Sequence, residues 1–324
     1  MNSIAPDWLE AFFVVNVLLA LFVDFVLLHR KGALVVTTKV ALNWSLAWVG
    51  LSLAFNALLW WAIRDATGDV ALANKQAMEF LTGYLIEKSL AVDNIFVFLM
   101  IFTYFSVPPT YQKRVLMIGI IGAIVLRTVM ILIGSWLITE FHWVLYLFGA
   151  FLVFTGVKMW FASGKEYAVE NNPMLRWLRR VMPVSDHFNG ERFLVVQSGR
   201  LVATPLLLVV AMVGFTDVIF AVDSIPAIFA ITTDPFIVLS SNIFAVLGLR
   251  AMFFLLAAVA AKFHLLNYGL AIILLFIGGK MLLAEVVKIP VLISLGFVVA
   301  VLAVTMVWSV RTAPKLSERD SKTP

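Results

Sequence analysis

The sequence predicts an all-α polytopic membrane protein with an inverted internal repeat. Three observations lead to this fold class. Of the 324 residues, 62% are apolar and only 13% are charged, whereas soluble domains have about 45–50% apolar and about 25% charged residues. Apolar runs long enough to cross a bilayer, about 20 residues each, recur between short polar segments. In addition, one acidic motif occurs twice, in spans that are predicted to run in opposite directions.

Apolar windows bounded by charged residues, Pro or Gly predict about nine transmembrane helices. They cover residues 9–28, 40–63, 79–104, 114–138, 142–161, 201–224, 237–261, 265–284 and 289–310. The first begins with Asp7 and Glu10, unlike the basic start of a cleavable signal peptide, so we expect it to remain as an anchor. We expect residues 1–310 to form one transmembrane domain and residues 311–324 a polar cytoplasmic tail.

Lys and Arg residues are concentrated in alternate loops, above all in residues 162–200 and in the tail after Arg311. The positive-inside rule therefore places the N-terminus outside and the C-terminus in the cytoplasm. Within the cytoplasmic loop 162–200, the apolar and basic segment 173–182 predicts a short helix lying on anionic headgroups. Because the basic residues follow membrane topology, the net charge of +5 does not indicate a nucleic-acid partner.

The side chains that bind soft metals are scarce in this sequence. It has no cysteine and four histidines, which lie at span edges or in loops: His29, His142, His187 and His264. Thiol catalysis, disulfides and Cys-ligated zinc are therefore excluded, and no permanently bound cofactor is expected.

The repeated motif lies in the third and sixth spans. Glu87-Lys-Ser-Leu-Ala-Val-Asp93-Asn94-Ile aligns with Asp217-Val-Ile-Phe-Ala-Val-Asp223-Ser224-Ile. A weaker echo follows in the fourth and seventh spans, at 122–127 and 245–250, so repeat one covers about 79–138 and repeat two about 201–261. Since an odd number of crossings separates the two copies, the repeat has inverted topology, as in many secondary transporters.

Acidic side chains inside the predicted spans are the strongest functional signal. An ionised carboxylate at bilayer depth costs at least ~2.5–3.5 kcal/mol, so such residues indicate a function by default. The five are Asp24, Glu87, Asp93, Asp217 and Asp223. Two facing copies of the motif would form a four-acid path, and all-oxygen ligands favour Mn²⁺, Mg²⁺ or Ca²⁺. The residues alone do not choose among these metals.

Other polar residues of the spans have more ordinary expected roles. Arg127 and Arg250 are expected as charge partners of the acids, and Asn56 and Asn242 as interhelical hydrogen-bond donors and acceptors. Asp24 either belongs to the transport pathway or reaches water at the cytoplasmic end of its span. Pro205 and Pro226 predict that the sixth span is interrupted and exposes backbone carbonyls beside the acids.

At these residues the chain resembles the TerC family of integral membrane proteins. The matching stretches are 80–94, 217–230, 233–238 and 242–250, with Asp24 and 149–158. The resemblance implies a bacterial inner-membrane protein that exports manganese from the cytoplasm. It also implies the metal ligands Glu87, Asp93, Asn94, Asp217, Asp223 and Ser224. One departure is Gly214, where similar proteins usually have Glu, so an acid is missing from the expected site.

The expected function is a secondary transporter that exports a divalent cation, Mn²⁺ in the first place, in exchange for protons, because the same carboxylates bind either ion. The alternative is an exporter of small organic cations or amino acids. An enzyme is not expected, since an intramembrane aspartyl protease requires Tyr-Asp and Gly-x-Gly-Asp motifs that the sequence lacks. No feature of the sequence indicates a protein partner.

Overall fold

The computed structural model describes residues 4–29, 38–141, 143–162, 173–181, 183–185, 187–197, 200–257, 265–283, 286 and 289–312. Within this part the chain forms helices and one small antiparallel hairpin. The elements are α1 (Asp7–His29), α2 (Thr38–Thr67), α3 (Val70–Tyr104), α4 (Pro109–Glu140), α5 (Val144–Ala162), α6 (Pro173–Val181), β1 (Leu194–Gln197), β2 (Arg200–Ala203), α7 (Pro205–Phe229), α8 (Pro235–Val246), α9 (Leu249–Ala257), α10 (Leu266–Leu282) and α11 (Val291–Thr312).

The helices confirm an all-α polytopic membrane protein. Five of those described, α2, α4, α5, α7 and α11, are long and apolar enough to cross a bilayer, and α8 with α9 makes a sixth if the pair is one bent span. By this measure α3 does not qualify, because charged residues interrupt its apolar sequence: Lys75, Glu79, Glu87, Lys88 and Asp93. α10 has only 17 residues. The count of nine spans and the inverted repeat therefore stay predictions.

Helix starts follow the local sequence. The carboxylate of Asp69 accepts hydrogen bonds from the amides of Ala71 (2.8 Å) and Leu72 (3.0 Å), which caps α3. Asp234 caps α8 in the same way, and α4 and α7 begin with a proline, whose missing N–H is not needed in the first turn. The first residues of α3, α4, α7 and α8 are thus determined by capping side chains and prolines close to them in the sequence.

The centre of the bundle is α3, which packs against α2, α7, α8, α9, α10 and α11. On one side of it, an aromatic cluster joins α1, α2, α3 and α8, with the rings of Phe55 and Phe244 4.6 Å apart and those of Phe13 and Phe236 5.5 Å apart. Large apolar side chains such as Leu18, Val125 and Phe154 are exposed on outer faces, as expected where lipid replaces water.

The break in the second repeat is not where the prolines predicted it. α7 is one continuous helix from Pro205 to Phe229. Pro205 occupies its first turn, whereas Pro226 lies inside the helix and has no N–H to donate to the carbonyl of Val222. The predicted span 201–224 also began too early, since β2 extends to Ala203. Instead α8 and α9 meet at a 42° bend. Gly248 lies there with φ +82°, a left-handed conformation that glycine adopts without strain.

In the loop 162–200, α6 and the β-hairpin are the described elements. Leu175 and Leu178 of α6 are buried, while Arg176, Trp177 and Arg180 are exposed. This distribution suits the predicted helix at a membrane surface, although its contact with headgroups stays a prediction.

The tight packing of α5 against α10 gives a prediction about stability. A Cβ on Gly278 of α10 would lie 2.8 Å from the carbonyl oxygen of Gly149 in α5, whereas one on Gly279 would meet nothing within 4 Å. We expect Gly278→Ala to separate the two helices and lower the melting temperature of the purified protein, since overpacking costs about 1–3 kcal/mol. Gly279→Ala is the control and should leave it unchanged or slightly raised. Equal melting temperatures for the two variants would contradict this packing.

Candidate functional site

The guanidinium of Arg127 lies at the junction of α3, α4, α7 and α8. The side chain starts on α4, is fully buried, and forms ion pairs with Glu87 of α3 and Asp217 of α7. Its Nη2 donates to Asp217 Oδ1 at 3.1 Å, and its Nη1 donates to Glu87 Oε1. Arg127 therefore connects the two copies of the acidic motif directly.

Asn242 of α8 closes this network. Arg127 Nη1 donates to Asn242 Oδ1 at 3.0 Å, and Asn242 Nδ2 donates to Glu87 Oε2 at 3.4 Å. Ser224 of α7 is at the edge of the network, with its Oγ 3.5 Å from Arg127 Nη1. Asn242 thus forms the interhelical hydrogen bonds expected of it. Its partners are the charged side chains of Arg127 and Glu87, which its position in an apolar span did not indicate. We call Glu87, Arg127, Asp217 and Asn242 the central cluster.

The central cluster has more negative than positive charge when its carboxyl groups are ionised. Two carboxylates face one guanidinium, and Asp217 Oδ2 is buried without a hydrogen-bond partner among the described residues. Buried polar atoms normally have a partner, so this oxygen is available to a proton, a water molecule or a cation. A cavity of about 10 Å³ lined by Asp217, Gly119 and Phe253 adjoins it, about the room that one water molecule needs.

Asp223, one acid of the predicted path, lies apart from the central cluster in this conformation. Asp223 is half-buried, and its Oδ1 accepts a hydrogen bond at 3.3 Å from Thr155 of α5, away from the central cluster. It follows Asp217 by six residues, which places it about 120° further round the helix. Asp93 and Asp24 lie in α3 and α1, but their side chains are outside the described residues. No group of three His, Asp or Glu in the described part could hold a metal ion.

Two other residues that the sequence analysis singled out, Asn94 and Arg250, are also buried. Asn94 is 1% exposed, and neither polar atom of its amide has a hydrogen-bond partner among the described residues. Arg250 of α9 is 6% exposed and has polar contacts of its own. Glu87, Asp217, Ser224 and Arg127 are thus the predicted residues that the structure brings together.

Lys88 is a site residue that the sequence did not assign. Its Nζ donates to the carbonyl oxygens of Ala245 (3.1 Å) and Leu247 (3.3 Å), where α8 ends, and lies 5.9 Å from the centre of the Tyr84 ring. A cation is favourable there because the last carbonyls of a helix have no intrahelical partner and the helix dipole is negative at that end. The signal in the sequence was Gly248, which marks the break.

A bundle of long apolar helices with a charged cluster buried at its centre defines a polytopic integral membrane protein with a candidate functional site inside the bundle. The comparison with known families is consistent with this description: the profile described as "Integral membrane protein TerC family" matches residues 72–316. The chain belongs to this family, as its resemblance at the acidic motifs indicated.

Similar proteins are known from several bacteria. A protein of Salmonella typhi named "Putative membrane-bound redox modulator Alx" is 57% identical over 95% of this chain and 95% of its own length. The protein of the same name from Escherichia coli K12 is 56% identical over the same shares. An "Uncharacterized membrane protein STKORF319" of Myxococcus xanthus is 44% identical over 99% of this chain and 98% of its own. No solved structure matches the chain.

Proposed function

We propose that this protein exports a divalent metal cation, Mn²⁺ in the first place, from the cytoplasm in exchange for protons. The observation that supports it is the central cluster: Glu87 and Asp217, one from each copy of the motif, share the buried guanidinium of Arg127, and one Asp217 oxygen has no partner among the described residues. Carboxylates held at this depth bind either a metal cation or a proton, which is what exchange requires.

In the proposed cycle, Arg127 takes the place of the transported cation when none is bound. Its guanidinium neutralises the carboxylates, so the bundle remains stable without metal. A metal ion entering from the cytoplasm would draw Glu87 and Asp217 away from Arg127, and protons entering from the other side would release it. The adjoining cavity of about 10 Å³ is too small for a hydrated ion, so a movement of α3 against α7 has to accompany binding.

The proposed orientation follows the distribution of basic residues, with the N-terminus outside the bacterial inner membrane and the C-terminus in the cytoplasm. The predicted ligands Asp93, Asn94 and Asp223 would join Glu87, Asp217 and Ser224 in the conformation that binds metal. We further propose that the redox role in the relatives' printed name is exerted through the cytoplasmic manganese level, because the chain has no thiol.

A second candidate substrate class is supported by one observation. A cavity of about 580 Å³ at the end of the bundle is lined by both acids and lysines, among them Glu79, Asp234, Lys75 and Lys280. Its volume is in the range that suits small organic ligands, so export of organic cations or amino acids is the alternative.

A flux assay separates these candidates. The purified protein is reconstituted in liposomes that contain a Mn²⁺-quenched dye, and quenching is followed after Mn²⁺ is added outside with a proton gradient imposed. We expect quenching that Glu87→Gln abolishes and that a mixture of amino acids does not inhibit. Inhibition by amino acids, or equal rates for the variant and the unchanged protein, would contradict metal transport through the central cluster.

Gly214 allows the missing acid of the family to be restored. It lies one turn before Asp217 on an open face of α7, and an added Cβ there would meet no atom within 4 Å. We therefore expect Gly214→Glu to fit without a steric clash and to tighten Mn²⁺ binding or change the pH dependence of flux. Gly214→Gln has the same shape without the charge and is the control. Identical affinity and pH dependence in all three proteins would show that position 214 is outside the pathway.

A further inference from the structure

A second group of oxygen atoms lies in the cavity of about 580 Å³, which we call the outer vestibule because the proposed orientation places it outside the membrane. It is formed where α3 and α8 begin and where α7 and α10 end. Its wall includes Gln76 and Glu79 of α3 and Thr232 of the segment after α7. None of these residues was singled out by the sequence.

Two of these side chains are deeply buried although they line a cavity. Glu79 and Gln76 are each 3% exposed, and they are three residues apart on α3, so they share one helix face. Thr232 lines the same cavity, and its hydroxyl accepts a hydrogen bond from the amide of Asp234 at 3.3 Å. Gln76 Oε1 has no hydrogen-bond partner among the described residues. A buried amide oxygen without a partner, beside a carboxylate and a hydroxyl, is an incomplete set of hard-cation ligands.

The other charged side chains of the outer vestibule either have hydrogen-bond partners or are exposed to solvent. Asp234 uses Oδ1 to cap α8 and Oδ2 to accept from the amide of Ile4 at 3.0 Å. Lys280 donates to Ser294 Oγ at 3.1 Å. Lys75 Nζ is 3.7 Å from Glu79 Oε1, but its side chain is 60% exposed, so it can move into solvent. Glu79 thus faces a cation that is easily displaced.

We propose that Glu79, Gln76 and Thr232 form an outer binding site for the exported divalent cation, with Lys75 as the group that the metal displaces and that later expels it. This inference rests on the proposed function. Glu79 precedes Glu87 by eight residues on one continuous helix, which is about 12 Å along its axis. A cation leaving the central cluster towards the outside meets Glu79 next on the same helix.

The test is Mn²⁺ binding to the full-length protein in detergent, followed by the electron paramagnetic resonance signal of free Mn²⁺. We expect two sites in the unchanged protein and one in each of Glu79→Gln and Glu87→Gln. Gln76→Met, which has a similar volume without the oxygen, should weaken the outer site by at least about 10-fold. Lys75→Gln should tighten it about 3-fold, as expected for a partly exposed ion pair. Asp65→Asn removes an exposed acid at the same end of the bundle and should change nothing.

Two results would overturn the outer site: equal Mn²⁺ binding by the unchanged protein and Glu79→Gln, or equal losses in Glu79→Gln and Asp65→Asn. If Glu79→Gln does not fold, Gln76→Met tests the outer site instead. It removes a ligand oxygen without changing the charge of the protein, so we expect it to fold. Failure of the proposed function has a different signature, since Glu87→Gln would then bind as much Mn²⁺ as the unchanged protein while Glu79→Gln binds less.

Discussion

Arg127→Met is expected to reduce the amount of folded protein in the membrane severely. The substitution leaves the carboxylates of Glu87 and Asp217 buried without their cation. Removing one partner of a buried ion pair costs about 3–5 kcal/mol, a large part of the ~5–15 kcal/mol that stabilises most domains. The measurement is thermal unfolding of the detergent-extracted protein, followed by size-exclusion chromatography of a fluorescent fusion.

Two further variants make this result specific. Arg64→Gln removes an exposed arginine from the end of α2 and should leave the melting temperature unchanged. The triple variant Glu87→Gln, Arg127→Met and Asp217→Asn removes both signs of charge together, so it should regain most of the stability while remaining unable to transport. If Arg127→Met were as stable as Arg64→Gln, the central cluster would not hold the bundle together.

Glu87→Gln and Asp217→Asn are each expected to abolish Mn²⁺ flux while the protein remains folded. Either variant leaves Arg127 one carboxylate and the Asn242 oxygen, so its charge is still compensated. What disappears is the excess negative charge that a metal ion would need. Loss of a charged ligand worth about 3 kcal/mol corresponds to about 100-fold in affinity. Flux into liposomes and the melting temperature are measured on the same preparations.

The matched control for these variants is Asp65→Asn, which removes an exposed acid from the end of α2. It should transport at the rate of the unchanged protein. Normal flux in both Glu87→Gln and Asp217→Asn would contradict a role of the central cluster in transport. Loss of folding in both would instead mean that the cluster is purely structural.

The sequence predicted the helices well because hydrophobic length and charge decide them locally. Each predicted span overlaps a described helix, although α3 begins at Val70, well before its predicted start at residue 79. The break in the second repeat was misplaced. Pro205 is in the first turn of α7, where proline is tolerated, and the helix continues through Pro226 to Phe229 although Pro226 lacks a backbone donor. The break lies at Gly248, between α8 and α9, because its left-handed backbone conformation ends a helix even where the surrounding sequence is apolar.

The candidate site was predicted in part. The repeat identified Glu87 and Asp217, and the expected pairing of buried acids with buried arginine describes what Arg127 does. Sequence spacing could not show that Asn242 of α8 would complete the network, or that Lys88 would reach the end of α8, because both contacts depend on how distant helices pack. Asp223 was expected on the same path as Asp217 but about 9 Å further along the helix. In this conformation it accepts a hydrogen bond from Thr155.

The most direct test of the account is the total manganese of living cells. Cells that lack their main Mn²⁺ exporter are grown in medium with added Mn²⁺, and they express either this protein or its Glu87→Gln variant at equal membrane levels. Manganese, magnesium, iron and zinc are then measured together. The account predicts that the unchanged protein lowers manganese alone and that the variant does not. Unchanged manganese with the correctly inserted protein, or an equal fall with the variant, would contradict it.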